Sequence, residues 1–238
     1  MPTVRSILAE LKKASDGQTK KTLVRHGAPA DKVYGVKVGA MKPIAKKIKG
    51  EQQLGLDLYD TGNRDAMYLA GLIVDGSKMQ KRQLDAWVKK SGGYAGISES
   101  TVVWVAAEHP EAVAIANKWI ESKDATTASA GWCLYAGCLA TRSDDMLDLE
   151  EIQALMDRVV ANVHAAPNRV RYQMNNFVIC VGCYVEPLLK QAKAAAKAIG
   201  TVAVDMGDTD CKTPLATDYI AKVEKMGRIG SKRRTLKC

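Results

Sequence analysis

The side chains best suited to chemistry lie between residues 167 and 177, where amide, guanidinium and phenol groups cluster. A helical wheel places six of them on or beside one face: Asn168, Arg171, Tyr172 and Asn175, flanked by Arg169 and Asn176. Together these groups can make bidentate hydrogen bonds to a phosphate, hydrogen-bond a sugar or base edge, and stack on a base. The segment predicts a nucleic-acid-binding face. The alternative is hydrogen bonding between helices inside the fold.

A second candidate surface is a run of lysines near residue 45. Lys42, Lys46 and Lys49 are spaced i, i+4, i+7, and Lys37 precedes them. On a helix the three would share one face at a pitch of about 6 Å, while the isoleucines between them face inward. Ammonium groups in such a row suit phosphate oxygens, because each contact releases counterions. A solvated lysine face that only maintains solubility would give the same pattern.

The net charge of +9 is concentrated at the start of the chain. Residues 1–50 contain 12 Lys and Arg against 3 Asp and Glu, whereas the other 188 residues contain 23 of each sign. This asymmetry favours a polyanionic partner, either nucleic acid or a membrane surface.

Metal and cofactor chemistry is not indicated by the motifs. Cys180 and Cys183 form a C-x-x-C in an apolar helix, but no second pair or nearby histidine completes a four-ligand zinc site. No nucleotide-binding glycine motif occurs either. We therefore expect no metal and no cofactor. The six cysteines are read as reduced thiols, which together with the absence of a signal-peptide apolar block favours a cytoplasmic protein.

The elements that must position these residues are predicted to be helices almost throughout. Apolar residues recur at helical spacing from Val4 onward, and strand-favouring aromatics make up only 5% of the chain. An Ala-, Gly- and Ser-rich helix at 126–140 is expected at the centre, and residues 201–213 are expected to be irregular. No apolar run is long enough to span a membrane.

Short polar turns between these helices predict an all-α stack of antiparallel helical pairs. A compact bundle without repeats would give a similar pattern. We expect a single domain at 1–229. A basic tail at 230–238 would either clamp DNA or stay disordered.

Three motifs resemble the AlkD-like DNA alkylation-repair family of HEAT-like repeat proteins. They are Tyr34-Gly35-Val36 before a basic helix, His109-Pro110-Glu111 leading to Lys118-Trp119-Ile120, and the helix Asn168–Val181. The resemblance implies a curved stack of HEAT-like helical pairs with DNA in a basic concave channel. In active members it implies removal of cationic alkylated bases by an aspartate, helped by two tryptophans and an arginine.

The resemblance also assigns catalytic positions in this sequence. The family's first tryptophan and its aspartate fall on Tyr94 and Ser98 in one register, and on Ala95 and Glu99 in the next. Glu99 is the one candidate carboxylate. Its alternative role is that of a first-turn residue behind a Ser98 cap, where it complements the helix dipole.

The other two catalytic positions also carry different residue types. The second tryptophan falls on Phe177, and the arginine falls near Ser129. Losing groups that position the nucleotide can cost orders of magnitude in rate. We therefore expect weak or undetectable glycosylase activity alongside DNA binding.

Together these observations predict a monomeric DNA-binding helical-repeat protein with no membrane partner. It would contact mainly the phosphate backbone of duplex DNA that is damaged, distorted or branched. The rival hypothesis is a protein-interaction scaffold, because helical repeats also present concave surfaces to proteins.

Overall fold

The computed structural model describes residues 2–237, which contain thirteen α-helices and no strand. One isolated antiparallel bridge joins Ser15 to Val36. The described residues form two compact units. Unit 1 comprises residues 2–110 with 207–209 and 237, and unit 2 comprises residues 111–206 and 210–236.

Unit 1 contains seven α-helices. They are α1 (Val4–Lys13), α2 (Gly17–Arg25), α3 (Val38–Lys47), α4 (Gln52–Asp60), α5 (Arg64–Ile73), α6 (Lys81–Lys90) and α7 (Val102–Ala107). Helix α5 lies at the centre, with eight of its ten residues buried. The ring of Tyr59 on α4 stacks on Trp87 of α6 at 3.8 Å, and its hydroxyl donates to the Trp87 carbonyl at 2.7 Å. This stacking joins α4 to α6.

Unit 2 contains six α-helices. They are α8 (Ala112–Ile120), α9 (Ala125–Thr141), α10 (Leu149–Asn162), α11 (Asn168–Tyr184), α12 (Leu189–Ile199) and α13 (Ala216–Lys225). Thirteen of the seventeen residues of α9 are buried. A Cβ on Gly131 would lie 2.5 Å from the Ile120 amide nitrogen, so small residues let α8 and α9 approach closely. The small-residue helix predicted at 126–140 is therefore the packed centre of this unit.

The predicted extent of the lysine helix is wrong. Helix α3 ends at Lys47 and the chain leaves it through Gly50, which has a φ of 87° that favours glycine. Lys49 therefore lies beyond the helix.

The described part of the basic tail is packed against helix ends. The Lys232 ammonium donates to the carbonyls of Leu139 and Tyr184 at 3.0 and 2.6 Å, and pairs with Asp144 at 2.7 Å. A cation at the carbonyl ends of α9 and α11 is favoured by both helix dipoles. Within unit 1, Lys237 donates to the Val74 carbonyl at 2.6 Å. Cys238 lies outside the described residues.

The single domain predicted at 1–229, followed by a separate tail, stays a prediction. Within residues 2–237, no helix is both long enough and apolar enough to cross a membrane.

Candidate nucleic-acid interface

The lysines of α3 stand on the exposed side of a helix whose other side is buried. Met41, Ile44 and Ile48 are each at most 5% exposed and anchor the helix to the core. Lys42 and Lys46 point to solvent from the opposite side, and Lys49 is exposed just beyond the helix end. None of these three lysines makes an ion pair with another residue in the described range 2–237. Their charges are therefore available to a polyanion.

The neighbouring cations are partly neutralised by the few acids of this region. Lys37, the N-cap of α3, pairs with Asp16 at 3.4 Å, and Lys47 pairs with Glu10 at 3.3 Å. Hydrogen bonds from the Thr19 hydroxyl and amide, with a smaller effect of Lys37, hold the pKa of Asp16 below its usual value. These surface pairs are weak and exchangeable. Lys37 can therefore also turn towards an external anion.

A buried carboxylate fixes the turn that leads into α3. Asp65, at the start of α5, accepts hydrogen bonds from the amides of Tyr34, Gly35 and Val36 at 2.6, 3.2 and 2.9 Å. Asp65 is only 2% exposed, so these amides replace the water that would solvate its charge. This positioning residue was not predicted from the sequence. The sequence feature that could have indicated it is an acidic residue in the first turn of a helix capped by Asn63.

Close backbone packing holds α2 beside the same turn. The Asp16 amide donates to the Gly35 carbonyl at 2.9 Å, and a Cβ on Gly35 would lie 2.5 Å from the Lys20 nitrogen. Only glycine permits this approach. Lys21 and Lys20 on α2 therefore belong to the same basic region as α3.

The asparagines of α11 in unit 2 are bound to the protein's own backbone. Asn168 donates to the Asp205 carbonyl and accepts from the Asp205 amide, both at 2.8 Å. Asn175 is 1% exposed and donates to the Pro214 carbonyl at 3.0 Å. These bonds fix the irregular segment after α12 against α11. Asn176 is half-buried and donates to Gln173 at 3.2 Å.

The start of α11 also carries two arginines and a tyrosine, Arg169, Arg171 and Tyr172. The guanidinium carbon of Arg169 lies 4.5 Å from the ring centroid of Tyr172, which forms a half-buried cation–π pair. The Nε of Arg171 is buried and has no hydrogen-bond partner among residues 2–237. Arg171 therefore carries an unsatisfied donor near the N-terminal end of α11, where the polar residues cluster.

Glu99 lies in a π-helical turn, Ile97–Thr101, that runs directly into α7. It is half-exposed, while Ser98 is buried and its hydroxyl donates back to the Tyr94 carbonyl at 3.4 Å. Ser98 is therefore not the helix cap, which is Gly96, so the predicted Ser98 cap is wrong. Glu99 does lie in the first turn of this element, as its alternative role requires. A π turn is rare and often marks a functional site.

The two remaining positions that the resemblance assigns to catalysis are buried in unit 2. Phe177 is 0% exposed and packs edge-on against Trp132 and Tyr135, at 5.2 and 5.5 Å between centroids. Ser129 is 1% exposed, and its hydroxyl donates to the Arg169 carbonyl at 3.3 Å. Neither position presents a side chain to a substrate.

The thiols of the C-x-x-C are inert core groups. Burial raises the pKa of Cys183 to about 11, and burial with a contribution from Cys183 raises the pKa of Cys180 to about 12. Both are neutral at physiological pH. Residues 2–237 contain no group of three or more His, Cys, Asp or Glu side chains that could hold a metal.

The family model described as DNA alkylation repair enzyme matches residues 7–207. The chain belongs to this family. Within the DNA alkylation repair family it is similar to uncharacterized proteins of Listeria innocua and Listeria monocytogenes, at 32% and 31% identity. Each alignment covers 93% of this chain and 97% of the relative.

One solved structure is similar to the whole chain. It belongs to a family of proteins related to the HEAT-like repeat DNA glycosylases, with affinity for branched DNA structures. Its TM-score is 0.91 at 36% identity, and the match covers 100% of both chains. The all-α, HEAT-like repeat fold predicted from the sequence is confirmed.

Proposed function

We propose that this member of the DNA alkylation repair family binds DNA through its phosphates and prefers branched or distorted duplex. The observation that carries the proposal is the row of exposed, unpaired ammonium groups on α3, held in place by the Asp65-bound turn. The affinity of the similar solved protein for branched DNA supports the same partner. Lys37, Lys42, Lys46 and Lys49 are the proposed contacts of unit 1.

In unit 2 the proposed contacts are Arg169, Arg171 and Tyr172. Their donors and aromatic face lie at one end of a rigid helix, where phosphate contact and base stacking are both possible. Asn168 and Asn175 contribute by holding the adjoining segment, and Asn176 lies beside them.

A salt titration of a three-way junction and of a linear duplex with equal base-pair content tests this function. We expect affinity for both to fall as salt rises, with a log–log slope for roughly five to eight phosphate contacts at about 0.9 each. We also expect the junction to bind more tightly at every salt concentration. Absence of DNA binding at low salt would leave the protein-interaction scaffold as the better hypothesis.

We further propose that glycosylase activity is weak or undetectable. An arginine and a tryptophan that would position the nucleotide are replaced by Ser129 and Phe177, both packed in the core. Glu99 alone could stabilise positive charge on the sugar, but stabilisation without positioning loses orders of magnitude in rate.

A base-release assay on N-methylated duplex checks the glycosylase proposal. We expect little or no free 7-methylguanine or 3-methyladenine, and no residual release by a Glu99→Gln variant. Robust release by the wild type would contradict the proposal. Equal release by Glu99→Gln would remove Glu99 from any catalytic role.

The protein is proposed to act as a monomer. Within residues 2–237 the large apolar side chains that are exposed are few, and several lie far apart along the chain, such as Val24, Met146 and Tyr219. Light scattering across the concentrations used for DNA binding should give one mass near 25.8 kDa. The cytoplasmic location stays a prediction.

A further inference from the structure

Arg64, the first residue of α5, is a buried cation without an acidic partner. It is 7% exposed, and its Nη1 donates to the Met67 sulfur at 3.2 Å. Its Nε is buried and has no hydrogen-bond partner in the described range. A buried charge is costly unless it is paired, so this guanidinium lacks the anion that such a position normally requires.

The two carboxylates that flank Arg64 in sequence are bound to other groups. Asp65 accepts the three amides of the turn before α3, and Asp60 pairs with Lys90 at 2.7 Å. Two tyrosines also lie near Arg64. The Tyr59 hydroxyl already donates to the Trp87 carbonyl, and the Tyr94 ring centroid lies 5.7 Å from the guanidinium carbon. Burial lowers the pKa of Arg64, and no charge near it on the protein compensates fully.

The hydroxyl of Tyr94 is a second available donor in the same place. Tyr94 is 9% exposed, and its hydroxyl makes no hydrogen bond to another residue of the described chain. A Cβ on Gly96 would lie 2.6 Å from this hydroxyl, so the absence of a side chain there leaves room beside it.

An exposed glycine lies over the guanidinium. A Cβ on Gly92 would lie 3.2 Å from the Arg64 Nη2, and Gly92 has a φ of 61°. Any larger residue would cover the guanidinium. The Arg64 Nη2 therefore lies directly beneath an exposed backbone position that carries no side chain.

We propose that Arg64 and Tyr94 form a binding site for a phosphate group that enters past Gly92. A guanidinium offers two parallel donors that match phosphate oxygens, and the hydroxyl supplies a third. Arg64 and Tyr94 are almost fully buried, so the site suits a terminal or free phosphate, because an internal phosphodiester carries a sugar on each side. The source is therefore a nucleic-acid 5′-phosphate end or inorganic phosphate. Binding of a nucleic-acid 5′-phosphate end rests on the proposed DNA binding, whereas binding of inorganic phosphate does not.

Calorimetric titration of the full chain with inorganic phosphate at constant ionic strength tests the site without DNA. We expect saturable binding that a Tyr94→Phe variant weakens about tenfold, which corresponds to one hydrogen bond to a charged group. Gly92→Ala should abolish binding by covering Arg64. Gly62→Ala is the matched control, because Gly62 has a φ of 69° but a Cβ there meets nothing within 4 Å.

Three results would overturn the site. They are no saturable phosphate binding by the wild type, unchanged affinity in Tyr94→Phe, and equal loss in the two alanine variants. None of these three results would contradict the proposed salt-dependent DNA binding by the α3 lysines. Conversely, phosphate binding by a protein that binds no DNA would sink only the proposed function.

A duplex with a recessed 5′ end then separates the two sources. Tighter binding of the 5′-phosphorylated form than of the 5′-hydroxyl form, lost in Gly92→Ala and kept in Gly62→Ala, assigns the site to nucleic-acid ends. Equal affinity for the two ends, with saturable inorganic phosphate binding, assigns it to free phosphate.

Discussion

The lysine surface of α3 and the polar face of α11 use polar side chains in different ways. On α3, Lys42 and Lys46 project into solvent and pair with no residue in the described range. On α11, Asn168 and Asn175 bind the backbone of the protein itself. Unusual polar composition therefore does not by itself mark a ligand-binding face. The exposed lysines are the proposed contacts of an external polyanion, whereas the short amides fix the chain.

Alkaline pH should have the largest effect on the unfolding free energy, in part through the buried thiols with raised pKa values, which all lie in unit 2. Burial raises the pKa values of Cys138 and Cys183 to about 11. Below the unfolded thiol pKa of about 8.5, both states are protonated and stability is independent of pH. Above it the unfolded state releases protons that the folded state retains. The free energy of unfolding should then fall by up to about 1.4 kcal/mol per pH unit for each thiol, until the folded pKa is reached.

Urea unfolding between pH 8 and 11 checks the thiol prediction. A Cys183→Ala variant should show a shallower loss with pH, while Cys211→Ala, which changes an exposed residue, should follow the wild type. A stability that stays level to pH 11 would contradict the burial of these thiols.

Removing the Asp65 carboxylate should have the next largest effect on the unfolding free energy. This change acts on the turn that leads into α3. Asp65→Ala leaves two buried amides and one half-buried amide unpaired, which we expect to cost about 3–5 kcal/mol of unfolding free energy. Asp31→Ala, an exposed acid before α3, should stay within about 0.5 kcal/mol of the wild type. Chemical denaturation measures both. Equal stabilities of the two variants would show that the turn does not depend on Asp65.

A smaller effect tests whether the asparagines of α11 are structural. Asn175→Ala leaves the Pro214 carbonyl without its donor and should lower the unfolding free energy by about 1–3 kcal/mol. Asn176→Ala, on the same helix but half-buried, should cost less. Neither change should alter the salt slope of DNA binding. A reduced slope at full stability would instead make Asn175 a direct DNA contact, as its residue type suggested.

Local spacing predicted much of the fold because helices are set by short-range periodicity. The helix that contains Asn168, the small-residue helix at 126–140 and the exposed lysines at 42 and 46 all follow from residues within two turns of each other. Contacts distant in sequence could not be predicted in this way. Asp65 binds amides about 30 residues earlier, and Asn168 binds Asp205, 37 residues later.

The π turn around Glu99 escaped prediction for a related reason. Helical spacing does not distinguish an α turn from a π turn, so Ser98 was interpreted as a cap when it is buried inside the helix. Family resemblance assigns a role to this segment, but the backbone geometry determines which of its side chains reach solvent.

The central claim is that the unpaired lysines of α3 bind DNA phosphates. Its most direct test is the salt dependence of three-way-junction affinity for the wild type, Lys46→Ala, and Lys42→Ala combined with Lys46→Ala. Each lysine removed should lower the log–log slope by about 0.9. Lys47→Ala, on the same helix but paired with Glu10, is the control and should lower it less. Identical slopes for the wild type and the double variant would contradict the claim.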